Sequence, residues 1–442
     1  MVMLVTTLRQ AATLSVVTNI TIGLLGCGTV GGALVDLLDA RRATITARTG
    51  VALRIGAIAV RDTAKHQDRL ADPSLLTTDT AAVVADPEVD IVVELIGGTD
   101  PALTLVRTAL ENGKPVITGN KELLAAHGPE LYAAAAKHGV DLLFEAAVAG
   151  GIPLIRPLRE SLVGEDISRV MGIINGTTNY ILTKMSQEGA DYADALADAQ
   201  ALGYAEADPT ADVEGYDAGA KAAIIASIVF GVDVRSSDVQ HEGISSITAA
   251  DIDTAKRLGY VIKALAVIER ADGEVAVRVH PAMVPTGHPL ANVNDSFNAV
   301  FVEGATVGDL MFYGRGAGGG PTASAVLGDL VDAAVNVANG AAARLSITEK
   351  ATLRSVDELS SQYYLTMVVS DEPGVLAQVA TVFGTHGVSI QVMEQSGTGG
   401  DAELCLILHE TTEAALHATL DELDGLNVVR GIGSVIRLVS DD

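Results

Sequence analysis

The chain lacks tryptophan altogether, and aromatic residues make up only 3% of its 442 residues. Surfaces that stack nucleic-acid bases depend on aromatic side chains, so this composition argues against them. Cysteine is almost as scarce, with only Cys27 and Cys405. Two cysteines provide neither a disulfide framework nor a zinc ligand set, and such sparing use predicts a reducing compartment, the cytoplasm.

Positive charge is also in short supply, because 29 Lys and Arg residues face 56 Asp and Glu residues, which gives a net charge of −27. The basic residues are scattered singly or in pairs, so no nucleic-acid partner is predicted. The longest apolar stretch, Ala222 to Val232, is shorter than the ~20 residues of a membrane span, so no membrane partner is predicted either. Residues 1–18 lack the basic start of a signal peptide and are predicted to be a disordered extension.

Hydrophobic residues are plentiful, at 48%, and the pattern along the chain predicts several domains. Strand-like and helix-like segments alternate over residues 19–150, which predicts an α/β domain with a doubly wound parallel sheet. That alternation stops afterwards, and residues 151–320 are predicted to form an α+β domain. A long helical stretch covers 321–343, and the mixed, polar segment 344–361 is typical of a linker. Residues 362–442 follow the β-α-β-β-α-β order of a ferredoxin-like unit.

A glycine-rich loop, Gly26-x-Gly28-x-x-Gly31, lies between the first predicted strand and the first predicted helix. Glycines at this spacing allow a tight turn and let a pyrophosphate approach the amides at the helix N-terminus, including those of Thr29 and Val30. Because the loop has the required strand before it and helix after it, the sequence predicts a Rossmann-type NAD or NADP site.

The end of the second predicted strand bears on which dinucleotide is used, and it reads Val60-Arg61-Asp62. Asp62 would bind the ribose 2′-hydroxyl of NAD, whereas Arg61 would bind the 2′-phosphate of NADP. Arg61 comes first after the strand, so NADP is slightly favoured, although a solvated surface charge is an alternative for Arg61.

Two lysines and a group of carboxylates are candidates for acid/base chemistry. Lys121 follows a predicted strand at its carboxyl end, where doubly wound sheets bind ligands, although a surface lysine that starts a helix would look the same. Asp217 and Lys221 lie four residues apart on one face of a predicted apolar helix. A lysine tuned by burial and by a carboxylate partner suits a general acid/base.

The acidic stretch before this helix, Glu206 to Asp217, could also be a metal loop or a solvated loop. A divalent metal loop is disfavoured because the spacing does not match a calcium loop and Pro209 interrupts it. A solvated acidic loop that leads into a helix N-terminus remains open.

The junction between the first two domains reads Phe144-Glu145-Ala146-Ala147-Val148-Ala149-Gly150-Gly151-Ile152-Pro153. Its carbonyl oxygens and Glu145 would suit a hard cation, and a simple hinge is the alternative. Cys27 and Cys405 both lie far in sequence from the lysines and the acidic stretch, so a thioester route is disfavoured and direct hydride transfer is preferred.

These motifs together resemble those of the homoserine dehydrogenases that carry a C-terminal ACT domain, and the resemblance covers about residues 19–442. It rests on Asn175-Gly176-Thr177-Thr178-Asn179-Tyr180, Gly203-Tyr204-Ala205-Glu206-Ala207-Asp208-Pro209, Asp217-x-x-x-Lys221, Gly119-Asn120-Lys121 and Gly318-Gly319-Gly320-Pro321-Thr322-Ala323. The family interconverts L-homoserine and L-aspartate 4-semialdehyde with NAD or NADP, on the route to threonine, methionine and isoleucine.

The resemblance also implies roles for particular residues. Lys221 matches the proton donor, Lys121 a lysine near the nicotinamide and the substrate, and Glu206 and Asp217 the homoserine-binding acids. Candidate cofactor contacts are Gly26, Gly28, Thr29, Val30, Gly31, Arg61, Thr99, Lys121, Gly203 and Gly318. A monovalent cation, Na⁺, would be held mainly by backbone carbonyls in the loop that contains Glu145, Val148, Gly150 and Ile152. The helix at 321–343 would return to complete the first domain, and residues 151–320 would also mediate assembly into a homodimer or homotetramer.

The C-terminal unit, read as an ACT domain, has two possible roles. The turn Asp371-Glu372-Pro373-Gly374-Val375-Leu376 could bind an amino-acid carboxylate at a helix N-terminus. Threonine is the expected effector because it is an end product of the family's pathway, and a dimerisation unit without a ligand is the alternative. Two rival functions for the whole chain are another amino-acid or semialdehyde dehydrogenase, and a non-catalytic amino-acid sensor. The presence of Lys121, Glu206, Asp217 and Lys221 argues against the sensor.

Overall fold

The computed structural model describes residues 17–342, 347, 349–397 and 399–440. The predicted N-terminal extension therefore lies almost wholly outside the described residues, and Thr18, its last member, already begins the first strand. Within these ranges, no helix combines the length and the apolar character needed to cross a bilayer.

The described part of the N-terminal domain is built on a six-stranded parallel sheet. Its elements are β1 (Thr18–Leu25), α1 (Thr29–Thr49), β2 (Val51–Ala59), β3 (Leu76–Thr77), α2 (Thr80–Ala85), β4 (Ile91–Glu94), α3 (Ala102–Glu111), β5 (Val116–Thr118), α4 (Lys121–His138) and β6 (Leu142–Leu143). The strand order β3-β2-β1-β4-β5-β6 is that of a doubly wound sheet, so this prediction is confirmed. Helix α1 passes its predicted end at Arg41 and stops only at Gly50, which has a φ of 74°.

The second domain consists of a mostly antiparallel sheet with helices packed against it. Its elements are β7 (Ile167–Ile173), α5 (Gly176–Glu188), α6 (Tyr192–Ala201), α7 (Thr210–Val213), α8 (Tyr216–Phe230), β8 (Val232–Asp233), β9 (Gln240–His241), α9 (Ala249–Arg257), β10 (Tyr260–Ala271), β11 (Glu274–Pro285), β12 (Phe297–Gly304) and β13 (Gly308–Arg315). The strands follow the order β13-β12-β7-β10-β11. Helix α8 buries an almost continuous apolar surface, including Ile224 and Ile225, because neighbours cover it on several sides.

The chain then returns to the first domain through α10 (Gly319–Asn339). This helix starts at Gly319 rather than at the predicted Pro321, and Gly340 caps its C-terminus in the left-handed conformation. Val326 and Leu330 pack in the same core as Leu34 of α1, so the first domain is assembled from two separate stretches of the chain.

The segment predicted to be a linker is hydrogen-bonded to the second domain where it is described. Strand β14 (Glu349–Lys350) pairs in parallel with β8. Further on, the N–H of Val275 donates to the carbonyl of Thr352 over 2.9 Å, and the N–H of Arg354 donates to the carbonyl of Val275 over 3.0 Å. These bonds hold the segment against the sheet of the second domain.

The C-terminal unit has the ferredoxin-like fold, which confirms the prediction for this region. Its elements are β15 (Ser360–Ser370), α11 (Val375–Thr385), β16 (Ile390–Gly397), β17 (Asp401–Thr412), α12 (Glu413–Asp424) and β18 (Val429–Leu438). The strand order is β18-β15-β17-β16, and β18 also pairs in parallel with β11, at Met283↔Leu438. Tyr364 and Ile436 share an apolar core with Ile252 of α9, so the unit is joined to the second domain by both a sheet and a core.

Candidate active site

The glycine-rich loop between β1 and α1 is tight at two positions and open at a third. A Cβ atom at Gly31 would lie 2.2 Å from the carbonyl oxygen of Gly26, so only glycine fits there. Gly26 has a φ of +97°, which side chains rarely adopt. A Cβ at Gly28 would meet nothing within 4 Å. No side chain caps the start of α1, so its first amides, at Thr29 and Val30, are available to an anionic ligand.

A cleft of about 860 Å³ opens beside this loop, at the carboxyl ends of the first domain's strands. Arg61 and Asp62 both line it, together with Lys65 and His66, two residues that the sequence analysis did not single out. The Asp62 carboxylate accepts the N–H of Ala64 over 3.0 Å, so it already caps the following turn. The cleft therefore carries a cluster of basic side chains near the end of β2, where an adenosine 2′-phosphate would be expected.

The opposite wall of the cleft is fixed by a buried carboxylate that sequence reasoning missed. Glu94, the last residue of β4, accepts the N–H groups of Ile96 and Gly97 and, over 2.6 Å, the hydroxyl of Thr118. The loop it holds leads to Thr99, which is exposed and lies between the cleft-lining residues Gly97 and Asp100. A lone acid at the end of an otherwise apolar strand was the available signal.

Two lysines from different domains meet at one carboxylate. Asp217, on the first turn of α8, is buried and accepts a hydrogen bond from Lys221 Nζ over 2.6 Å. Its other carboxylate oxygen pairs with Nζ of Lys121, the first residue of α4. Lys221 Nζ also donates to the carbonyl of Ile174 over 2.8 Å. The cluster thus spans the junction between the two domains, at the edge of the parallel sheet that the cleft also occupies.

The charges in this cluster depend on one another. Burial disfavours the ionised form of Asp217, but the ammonium groups of Lys221 and Lys121 outweigh it and hold the pKa of the carboxyl well below its ordinary range. Burial likewise works against the ammonium of Lys121, but the charge and hydrogen bond of Asp217 prevail and raise the pKa of this lysine. The site therefore holds a stable carboxylate at neutral pH.

Asn175 and Asp212 complete the cluster, although the sequence analysis assigned neither to the site. Asn175 caps α5 by accepting the N–H of Thr178. Its Nδ2 donates to Asp217 over 2.9 Å and to Asp212 over 2.7 Å. Burial raises the pKa of Asp212, and the hydrogen bond from Asn175 only partly opposes this effect. The motif that contains Asn175 was visible in the sequence, but its contact with α8 depends on tertiary packing.

The loop after α6 carries two further candidates, Gly203 and Glu206. Both are exposed, and Gly203 has a φ of +75°. The hydroxyl of Thr177 donates to the carbonyl of Tyr204 over 2.7 Å, which ties this loop to the start of α5. The loop therefore borders the helix end that carries Asn175, and the Glu206 side chain is accessible to a ligand.

The junction from Glu145 to Ile152 is almost entirely buried. The Glu145 carboxylate accepts the N–H groups of the next short helical turn, over 2.5, 2.7 and 3.0 Å, and these belong to Leu154, Ile155 and Arg156. The side chain is thus engaged by the backbone, which leaves carbonyl oxygens, such as those of Val148, Gly150 and Ile152, as the group that would hold a cation. In the described part of the chain no cluster of three or more His, Cys, Asp or Glu side chains could bind a metal.

The start of α10 closes on the nucleotide loop. Gly318, with a φ of +121°, precedes this helix. A Cβ at the next residue, Gly319, would lie 3.1 Å from the side chain of Thr29, so the two helix starts nearly touch. Nearby, a Cβ at Gly150 would lie 2.1 Å from the carbonyl of Gly316, which brings the buried junction against the same connection.

Comparisons with known proteins agree with this arrangement. The family model described as homoserine dehydrogenase matches residues 153–331, its NAD-binding domain matches residues 26–145, and an ACT domain matches residues 363–427. A homoserine dehydrogenase of Corynebacterium glutamicum is 50% identical over 426 residues, which cover 95% of this chain and 96% of that protein.

Solved structures give the same result. A homoserine dehydrogenase from Thiobacillus denitrificans is 41% identical, with a TM-score of 0.91, and the match covers 96% of this chain and 99% of that one. A hyperthermophilic archaeal homoserine dehydrogenase in complex with NADPH is 27% identical, with a TM-score of 0.62, over 72% of this chain and 98% of that one. With its nucleotide-binding, catalytic and ACT regions all matched, the chain belongs to the homoserine dehydrogenase family.

Proposed function

We propose that Lys221 transfers the proton in the interconversion of L-homoserine and L-aspartate 4-semialdehyde, the reaction of this family. The observation that carries the proposal is the buried carboxylate of Asp217, which accepts a hydrogen bond from Lys221 and also pairs with Lys121 of the other domain. A lysine oriented in this way, at the sheet edge where the nucleotide cleft opens, suits proton transfer next to a carbon that exchanges a hydride.

In the direction of oxidation, the amine of Lys221 takes the hydroxyl proton of homoserine. The bound NAD or NADP supplies the hydride acceptor for the hydrogen on the same carbon. In the direction of reduction, the ammonium of Lys221 returns a proton to the aldehyde oxygen, which becomes the hydroxyl. Asp217 orients Lys221. Lys121 would contact the nicotinamide and the substrate when both are bound. Glu206, whose side chain is exposed, would bind the ammonium group of homoserine, and Asp217 is the second acid that would contact this substrate.

Both dinucleotides are proposed to bind, with NADP preferred. The support is the position of Arg61 on the wall of the cleft, with Lys65 and His66 beside it. A charged side chain paired with a phosphate makes a stronger hydrogen bond than a neutral pair does, so a 2′-phosphate would gain from this wall.

A monovalent cation, Na⁺, is proposed to bind the buried junction through backbone carbonyls of Val148, Gly150 and Ile152. The fit rests on two observations: Ala149 and Gly150 have positive φ values, of 55° and 51°, and the Glu145 carboxylate is occupied by backbone N–H groups. Carbonyl oxygens are hard ligands, as Na⁺ requires.

The ACT domain is proposed to bind threonine as an inhibitor. The chain is proposed to assemble into a homodimer or homotetramer and to work in the cytoplasm. Helix α11 begins after Gly374, which has a φ of 92°, and no side chain caps its first turn. The N–H of Val375 donates to the carbonyl of Glu372 over 3.3 Å, so the amides of Leu376 and Ala377 are the ones proposed to bind a carboxylate. The free thiols of Cys27 and Cys405 fit a reducing compartment. Activity that stays flat up to millimolar-order threonine would reject the effector, whereas a concentration-dependent loss supports it.

Replacing Lys221 by alanine tests the proposed chemistry. We expect turnover of homoserine to fall ~10²-fold or more, the usual effect of losing a positioned acid/base. The affinity for NADP should stay near that of the wild type, because the phosphate loop is unchanged. Lys184→Ala is the control, since Lys184 pairs with Glu188 within α5. Near-normal turnover in the Lys221→Ala variant would remove this lysine from the reaction.

A further inference from the structure

One charged side chain of the second domain is buried without any part in the chemistry described above. Lys263, on β10, is only 1% exposed. Its Nζ donates to the carbonyl of Val293 over 2.5 Å and to the side-chain oxygen of Asn179 over 3.3 Å. Burial lowers the pKa of Lys263 to about 8. Burying an amine without hydrogen-bond partners costs free energy. Lys263 finds partners in the segment 293–297 and in Asn179.

This segment is tied to the first two turns of α5. The side-chain amide of Asn179 lies 3.1, 2.9 and 3.1 Å from three of its carbonyl oxygens, which belong to Val293, Asp295 and Phe297. The N–H of Asp295 donates to the hydroxyl of Thr183 over 3.2 Å. Asp295 itself has a φ of 56°, which is uncommon for a residue with a side chain, so the segment is held against local strain.

The same end of α5 orients the carboxylate of the candidate active site. Asn175 lies one turn before Asn179, whose N–H donates to the Asn175 carbonyl over 3.3 Å. On the other side, the Asn175 amide donates to Asp217 over 2.9 Å. The two asparagines thus connect α5 to the buried lysine through one side chain and to the catalytic cluster through the other.

The segment 293–297 also packs tightly against the first residue of α5. A Cβ at Gly176, the first residue of α5, would lie 2.9 Å from the carbonyl of Ser296. A shift of the segment towards α5 would therefore push on the start of this helix and move the Asn175 amide relative to Asp217. Such a shift matters, since a 1 Å misplacement can lower a rate by ~10²-fold.

We infer that Lys263 is a positioning residue for the reaction: through Asn179 and the segment 293–297 it fixes the start of α5, so that Asn175 holds Asp217 against Lys221. The inference rests on the proposed role of the Asp217–Lys221 pair. The purely structural alternative is that Lys263 contributes to folding alone.

Lys114 provides a matched comparison for that alternative. It is also a buried lysine, at 7% exposure, and its Nζ donates to the backbone carbonyls of Asp86 and, over 2.7 Å, Val89. It precedes β5, whereas Lys121 and the cleft lie beyond the other end of that strand. Lys114→Met therefore removes the same kind of bond without touching α5.

The test is a double-mutant cycle between Lys263→Met and Asn175→Ala in the full-length chain. We expect Lys263→Met to lower kcat by roughly 10-fold, with an unchanged KM for NADP, because a supporting residue is displaced rather than a reacting one. In the double variant kcat should be no lower than in Asn175→Ala alone, since both changes release the same contact. Lys114→Met should leave kcat near the wild-type value, and any effect it has should multiply with that of Asn175→Ala.

Each other outcome rejects the inference. Multiplying effects of Lys263→Met and Asn175→Ala, or an unchanged kcat in Lys263→Met, would make the lysine purely structural. An unchanged kcat in Asn175→Ala would also reject the inference, whereas the proposed function fails only if Lys221→Ala keeps near-normal turnover. If Lys263→Met does not fold, Thr183→Val loosens the same segment at Asp295, and a kcat loss that multiplies with that of Asn175→Ala would overturn the inference in the same way.

Discussion

Replacing Asp217 by asparagine removes one negative charge from between two ammonium groups while keeping the shape of the side chain. The pair with Lys221 is well buried, with side-chain exposures of 7% for Asp217 and 13% for Lys221. Breaking a buried pair by neutralising one partner typically costs 3–5 kcal/mol, so about 3 kcal/mol is expected here. The contact with Lys121, whose side chain is 36% exposed, is screened by solvent and adds little. Turnover should fall ~10²-fold or more, because Lys221 loses its orienting partner.

The loss of stability in Asp217→Asn should depend on pH. The pKa of Asp217 in the folded chain lies below its ordinary range. The carboxylate therefore stabilises the fold above the unfolded value of about 3.9, and this contribution is lost as the pH falls through the folded pKa. The variant lacks this contribution, so the difference in unfolding free energy should be large at neutral pH and narrow in acid. Urea unfolding of both proteins at two pH values measures it.

Asp212→Asn is the control for this experiment. Burial raises the pKa of Asp212, so its charge costs free energy at neutral pH, and neutralising it should leave the unfolding free energy unchanged or slightly higher. If Asp217→Asn is as stable as the wild type, or if both variants lose the same amount, the carboxylate does not have the role assigned to it.

Two further predictions concern the nucleotide site. Arg61→Ala should raise the KM for NADP by roughly 10-fold, as expected for the loss of a hydrogen bond to a charged group, and should change the KM for NAD little. Equal changes in KM for both cofactors would show that Arg61 does not bind the 2′-phosphate. Gly31→Ala should abolish measurable dinucleotide binding in a titration, because its Cβ would lie 2.2 Å from the Gly26 carbonyl, whereas Gly320→Ala, where a Cβ meets nothing within 4 Å, should bind normally.

The parallel sheet and the ACT fold could be predicted from sequence because their signals are local. The glycine loop, the apolar strand at Ile91 and the βαββαβ order each depend on a short stretch of chain. The ends of helices were harder to predict than their presence. Helix α1 continues past Arg41 to Thr49, since no residue before Gly50 stops it. The pairing of β14 with β8 could not be predicted, because a polar stretch gives no sign of a distant partner strand.

The candidate active site was predictable in part for the same reason. Asp217 and Lys221 are one helical turn apart, so spacing alone brings them together. The contact between Asp217 and Lys121, by contrast, depends on how two domains meet, and Asn175 joins them through a helix cap that must be aimed at α8. Lys263 was missed because its role rests on burial, which the sequence does not reveal for a single charged residue.

Rescue of the Lys221→Ala variant by a small amine tests the central claim most directly. The cavity left by the lysine can admit ethylamine, whose ammonium would supply the missing proton donor in the reduction of aspartate 4-semialdehyde. We predict that turnover of this variant rises with ethylamine concentration, whereas the wild type and Asp217→Asn do not respond. A folded Lys221→Ala protein that binds NADP but shows no response to the amine would contradict the assignment of Lys221 as the group that transfers the proton.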